Sequence, residues 1–223
     1  FNNYKKMLRI EVDKENENYS DVDGVLFDKS QKWLIAYPSG AATEYVIPDN
    51  VTRIGYYAFS NCSSLTSVKI PDTVTSIGNE AFRECVRLVD ITIGENVKTI
   101  GNNAFRSCTA LTYIALPDSV TSIGDYSFYN CSGATGFTAN GLKSIGEYAF
   151  AYCKAFTSVT IPDTVVSLSK SVFVYCSALK TAHTIFANVE EAKERLTSSP
   201  VSSCTILIKG SNGTRLFQLP EVL

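Results

Sequence analysis

Counted from Ile47, the pattern Ile-Pro-Asp-x-Val-Thr-x-Ile-Gly-x-x-Ala-Phe-x-x-Cys-x-x-Leu-x-x-Val-x runs 23 residues and begins again at Ile70, Ile93, Leu116 and Ile161. One further copy, Ala139 to Thr160, is a residue short. Phe59, Phe82, Phe105, Phe128, Phe150 and Phe173 therefore recur at steps of 23, 23, 23, 22 and 23, and Cys62, Cys85, Cys108, Cys131, Cys153 and Cys176 follow the same steps. A fixed period in this range is the mark of a solenoid. Each copy is a supersecondary unit that cannot bury its apolar face alone and so stacks on its neighbours.

Within a copy, Leu65-x-x-Val68-x-Ile70 ends with inward positions two apart, the period of a strand, and the proline that follows stops it. Copies of this strand are expected to pair as a parallel sheet, with Thr75-Ser-Ile77 forming a second short extended piece and Gly78 the turn. In Asn79–Cys85, Ala81 or Phe82 and Cys85 lie three or four residues apart, which predicts one face of a single helical turn opposite the strand. The fold class expected is thus α/β: a solenoid of about six coils with a parallel β-sheet on one side and short helical turns on the other. A phenylalanine from every coil predicts a stacked aromatic spine.

The six register cysteines would project side by side with parallel Cβ vectors. Stacked strands lie ~4.7–4.9 Å apart, whereas a disulfide needs converging Cβ atoms ~3.5–4.5 Å apart. Six reduced, buried thiols are expected. A metal ladder along the column would lack His or carboxylate partners in register. Cys204 lies outside the column.

The repeat leaves no linker, so residues 1–223 read as a single domain in three parts: a partial coil and variant hairpin repeat over 1–46, six regular repeats over 47–183, and a C-terminal helix and hairpin cap over 184–223. Aligning Phe1 with Phe59 puts Met7 on the Leu column and Ile10 on the Val column, so the chain opens midway through a repeat, and the natural protein is expected to extend further upstream. Gly24–Phe27 and Trp33–Tyr37 predict a β-hairpin. The sixth copy decays, with Ser169 for Gly and Val172 for Ala, as an end repeat should. Asn188-Val-Glu-Glu191 reads as a cap leading into a short helix over Ala192–Leu196. Thr205–Ile208 and Arg215–Phe217 flank Gly210-Ser-Asn-Gly213, a second hairpin around an Asn-Gly turn.

The signature Ile-Gly-x-x-Ala-Phe-x-x-Cys-x-x-Leu at Ile54 to Leu65, repeated through the array, resembles the bacterial BspA-like leucine-rich repeats of the Treponema pallidum type. The stretch Asn18–Phe27 is similar to the longer variant repeat of that family. The resemblance covers about residues 1–183. It implies a right-handed leucine-rich-repeat solenoid on a secreted or cell-surface bacterial protein, with a role in adhesion and in binding host extracellular or bacterial surface proteins. It brings no catalytic residue and no universal ligand.

Charge and motif content agree with a non-catalytic reading. The formal net charge is −2 and no Lys/Arg run occurs, which argues against a nucleic-acid partner. No apolar run is long enough to span a membrane. No nucleophile has a base at a repeated position, no carboxylates form a column, and no phosphate loop or CxxC is present, so no enzyme, cofactor or metal is expected. A monomer is expected.

The surface carries what remains. The outward strand positions are small and hydroxyl-rich, with Tyr113 alone in the middle and His183, the only histidine, near the end. On the other side Tyr126, Tyr129, Tyr148, Tyr152 and Tyr175 crowd the turns of coils four to six. Tyrosine is enriched at protein interfaces, so these five are the candidate partner-binding residues, with Tyr113 and His183 as the alternative site. The competing reading is that the rings pack between coils. Two other functions stay open: a passive spacer within a larger surface protein, and a carbohydrate-binding module using the same aromatics.

Overall fold

The structure, a computed structural model, describes residues 7–168, 171–179, 181–183, 207–210 and 213–216, with backbone alone for the last three segments. The expected helix at Ala192–Leu196 and Cys204 lie outside the described residues.

The N-terminal part is a three-strand meander of β1 (Tyr19–Val22), β2 (Val25–Asp28) and β3 (Trp33–Ala36), each antiparallel to the next. The β2–β3 hairpin is the expected one. Strand β1 was not foreseen. It joins β2 through Asp23 (φ 51°) and Gly24 (φ 83°), two left-handed residues that match the right-handed strand twist of a two-residue hairpin.

From β3 the solenoid begins, with two rows of short strands. The first row is β5 (Arg53–Ile54), β7 (Ser76–Ile77), β9 (Thr99–Ile100), β11 (Ser122–Ile123), β13 (Ser144–Ile145) and β15 (Ser167–Leu168), all parallel and continuous with β3. The second is β4 (Glu44–Val46), β6 (Ser67–Lys69) and β8 (Asp90–Thr92), then β10 (Ile114–Ala115) with β12 (Phe137–Thr138), then β14 (Ser158–Thr160) with β16 (Thr181–His183). Both rows keep the predicted register, Val68 opposite Ile91 and Ile54 opposite Ile77. Yet the unbroken ladder is the Thr-Ser-Ile row, and the Leu-x-x-Val-x-Ile row is divided into three sheets. A last hairpin pairs β17 (Leu207–Gly210) with β18 (Gly213–Leu216), closing at Gly210 opposite Gly213.

No helix occurs among the described residues, and the predicted helical turn is a run of β-turns. In the first full coil the amides of Ala58, Ser60 and Cys62 bond to the carbonyls of Gly55, Tyr57 and Phe59. Those of Tyr57, Phe59 and Asn61 bond instead to Asn79, Ala81 and Arg83 of the next coil. Alternate amides thus turn inward to their own coil and onward to the next, which satisfies every donor of the run. A helix directs the amides beyond its first turn to its own carbonyls, so it would not join the coils by this alternation. The cost is a left-handed residue at each end of the run, Tyr57 and Asn61 both at φ 61°.

Gly78 shows how closely the coils approach, since a Cβ there would sit 2.8 Å from the carbonyl of Gly55 and that of Ile54. The repeat that is one residue short loses it between Ala139 and Ile145. Its tightened turn passes Gly141 so near the Asp118 carbonyl that a Cβ would overlap it.

The core is one continuous column of inward side chains. Phe59, Phe82, Phe105, Phe128 and Phe150 stack with ring centroids 4.7, 5.0, 5.0 and 5.3 Å apart and planes within 10° of parallel. Tyr37 closes the upper end of this spine at 5.0 Å from Phe59, and a half-buried Phe173 the lower, at 5.6 Å from Phe150. The six register cysteines are free and buried. Cys85, Cys108, Cys131, Cys153 and Cys176 each donate their thiol to the carbonyl of the phenylalanine one coil back, at 3.0–3.3 Å. That carbonyl also accepts the amide of its own turn, so a small side chain with a weak S–H donor fits the column.

Candidate interaction surface

The turn run carries three side-chain columns around each core phenylalanine, the third of them buried at Ser60 and Ala151. The residues two before it are Tyr57, Glu80, Asn103, Tyr126, Tyr148 and Ser171, and those two after are Asn61, Glu84, Ser107, Asn130, Tyr152 and Tyr175. All twelve have positive φ, between 54° and 61°. The alternating hydrogen bonds impose that backbone on every coil. Asn occupies it at little cost, whereas a bulky side chain there is uncommon and persists only where its surroundings compensate. Four of the five candidate tyrosines hold such positions. Tyr129 stands one residue after Phe128, in the third column with Arg83 and Arg106.

The five rings form one connected cluster. Tyr126 stacks on Tyr148 at 5.0 Å and 12°, and touches Tyr129 of its own coil at 5.6 Å. Tyr129 meets Tyr152 at 5.1 Å, and Tyr152 meets Tyr175 at 4.6 Å. Tyr126, Tyr129, Tyr148 and Tyr152 are half-buried against one another, while Tyr175 is 63% exposed. Partial burial beside Tyr129 and Tyr175 pushes the Tyr152 hydroxyl pKa up, which keeps it a neutral donor. The rings thus pack between coils while keeping part of their surface exposed.

Upstream the same columns carry charge. Tyr57 donates its hydroxyl to Glu80 at 2.7 Å, and Arg83 bonds Glu80 at 2.7 Å and Glu84 at 3.2 Å. The hydrogen bond to Glu80 raises the Arg83 pKa. Arg106 bonds Asn103 and lies 5.0 Å from the centre of the Tyr129 ring, joining the charged half of the face to the aromatic half. Residue-by-residue reading overlooked Glu80, Arg83 and Arg106. Their signal was register, since they stand in the same columns as the tyrosines.

The alternative candidates, Tyr113 and His183, belong to the Leu-x-x-Val-x-Ile row. Tyr113 is 46% exposed and lies over Gly136, where a Cβ would be 3.3 Å from its ring. His183 pairs through its backbone with Thr160, and its side chain is outside the described residues. Tyr113 and Thr181, the residue at the same position in the coil of His183, are three coil steps apart. No group of three or more potential metal ligands occurs among the described residues, and no described helix is long and apolar enough to cross a membrane.

Comparison with known proteins places this geometry. A family model described as the BspA type leucine-rich repeat region matches in six copies, over residues 36–139 and 99–209. No curated protein sequence matches. Among solved structures, the pneumococcal vaccine antigen PcpA superposes with TM-score 0.68 at 22% identity, over 90% of this chain and 50% of that one. The Treponema pallidum leucine-rich repeat protein gives 0.60 at 23%, over 92% of this chain and 100% of that one. A leucine-rich cell surface protein of Faecalibacterium prausnitzii gives 0.58 at 29%, over 84% and 44%. The chain thus spans about half the length of the pneumococcal and Faecalibacterium structures.

Proposed function

Because the chain belongs to the BspA-type leucine-rich repeat family, we propose that it is a non-catalytic protein-binding module of a secreted or cell-surface bacterial protein, serving adhesion through the tyrosine cluster of its turn face. On this reading residues 1–223 form one domain, with 184–223 capping the last coil. The observation that carries the proposal is the joining of Tyr126, Tyr129, Tyr148, Tyr152 and Tyr175 from three successive coils into one cluster. Four of them occupy left-handed backbone that does not favour so large a side chain. A spacer gains nothing from that choice, and Asn or Ser suffices at the same positions in other coils.

The partner class follows from ring orientation. Tyr126 and Tyr148 turn faces toward each other and Tyr129 has Arg106 over one face. Faces engaged in this way are less available for the stacking that a sugar needs, which favours a protein partner. The cell-surface description of the Faecalibacterium relative supports the location.

The test is capture of host extracellular-matrix and bacterial surface proteins by this chain, followed by the affinity of Tyr129→Ser/Tyr152→Ser for the captured protein. Binding should weaken by about 2 kcal/mol or more, the threshold of an interface hot spot. Unaltered affinity per folded molecule would favour the spacer.

A further inference from the structure

We propose that the tyrosine cluster is a site of oxidative cross-linking, in which Tyr152 and Tyr175 of adjacent coils become joined as dityrosine. The inference is independent of any binding role for the same rings.

Coupling of two tyrosines needs two phenols held in contact and access for a one-electron oxidant. The cluster supplies both. Tyr152 and Tyr175 have centroids 4.6 Å apart with planes 35° apart, and Tyr129 lies 5.1 Å beyond Tyr152. Tyr175, at 63% exposure, is the ring that an oxidant reaches. Both residues are fixed by left-handed turn backbone on neighbouring coils, and the Tyr152 amide bonds the Val174 carbonyl, so the coils that carry the rings are tied beside them. Reactants held together in this way react as though at very high concentration. Among the described residues, the exposed Tyr19, Tyr56 and Tyr113 have no tyrosine ring in contact, and Tyr57 is bonded to Glu80. The parallel phenylalanine spine, lacking phenols, cannot take part.

The step balances with a haem peroxidase and hydrogen peroxide as oxidant. Each phenol gives up one electron and its hydroxyl proton, leaving two phenoxyl radicals. A carbon–carbon bond forms between the positions ortho to the two oxygens. The hydrogens on those carbons then move to the oxygens and restore both phenols. The peroxide accepts the two electrons and two protons and leaves as two waters. The product is a covalent tie between residues 23 apart in sequence, across the coils where the repeat has begun to decay.

The experiment treats the chain, dilute enough to disfavour encounters between molecules, with horseradish peroxidase and limiting hydrogen peroxide. It reads dityrosine fluorescence, mobility in denaturing gels and the peptide map. Expected are fluorescence in the monomer band and a linked peptide pair containing Tyr152 and Tyr175. Tyr152→Phe keeps the ring but removes the phenol and should abolish that pair, with the monomer fluorescence falling by more than half. Fluorescence confined to cross-linked oligomers, or undiminished monomer fluorescence in Tyr152→Phe, overturns the proposal. Should Tyr152→Phe fail to fold, Tyr175→Phe at the exposed end of the cluster decides, since it must lose the same linked pair.

Discussion

The rings of Phe82 and Phe105, from adjacent coils, lie with centroids 5.0 Å apart and planes 3° from parallel, and neither exposes any surface. Each is therefore wall and floor for the other, and a truncation at the centre of the spine opens a cavity that a regular stack cannot close without moving several coils. Phe105→Ala should lower stability by about 3–5 kcal/mol, as buried aromatic truncations do. Urea unfolding followed by circular dichroism measures it. A loss under about 1 kcal/mol, the range of surface changes, would contradict the described packing.

A methyl group added at Gly78 meets backbone rather than a movable side chain, with the carbonyl atoms of Gly55 and the oxygen of Ile54 at 2.8 Å. Gly78→Ala should cost about 3 kcal/mol, the upper part of the range for overpacking. Thermal unfolding of the variant checks this. An unchanged midpoint would mean that the coils stand further apart.

The buried thiols make stability fall in alkali. Burial raises the pKa of the Cys85, Cys108, Cys131 and Cys153 thiols, and that of Cys176 from 9.0 to about 12. An unfolded chain ionises these groups near 9 while the folded chain keeps them protonated. Their contribution is thus complete below pH 9 and is lost as pH rises toward 12. Denaturant titrations at stepped pH should show Cys176→Ala flattening that decline by about 1.4 kcal/mol per pH unit. At neutral pH, a thiol reagent should label all six register cysteines only after unfolding.

Tyr113 stands on the strand face, 46% exposed over Gly136. Tyr113→Ala should change stability by no more than about 0.5 kcal/mol, as for a surface substitution, and should leave partner affinity intact. Titration of the captured partner against this variant and against Tyr129→Ser/Tyr152→Ser assigns the face. Loss of binding in Tyr113→Ala alone would move the site to the strands.

The 23-residue period by itself determined the solenoid, the inward columns, the phenylalanine spine and the burial of six thiols. A repeat translates each column along one axis, so hydrophobic spacing within one copy fixes what faces the core in all of them. The hairpin at β2 and β3 was legible for a similar reason, from two apolar runs separated by polar residues. What the period could not convey depends on where hydrogen bonds go and how far side chains reach. Ala81, Phe82 and Cys85 have helical spacing, but alternate amides of their run bond to the next coil, and the chain becomes a series of turns with left-handed corners. The strand row with the stronger hydrophobic signal is the broken one, because pairing is decided by backbone geometry along the stack rather than by apolar content. Tyr126, Tyr129 and Tyr152 occupy three different positions of the repeat, so no column unites them. Only the stacked coils, with rings reaching sideways and onward by about one coil step, bring them into contact.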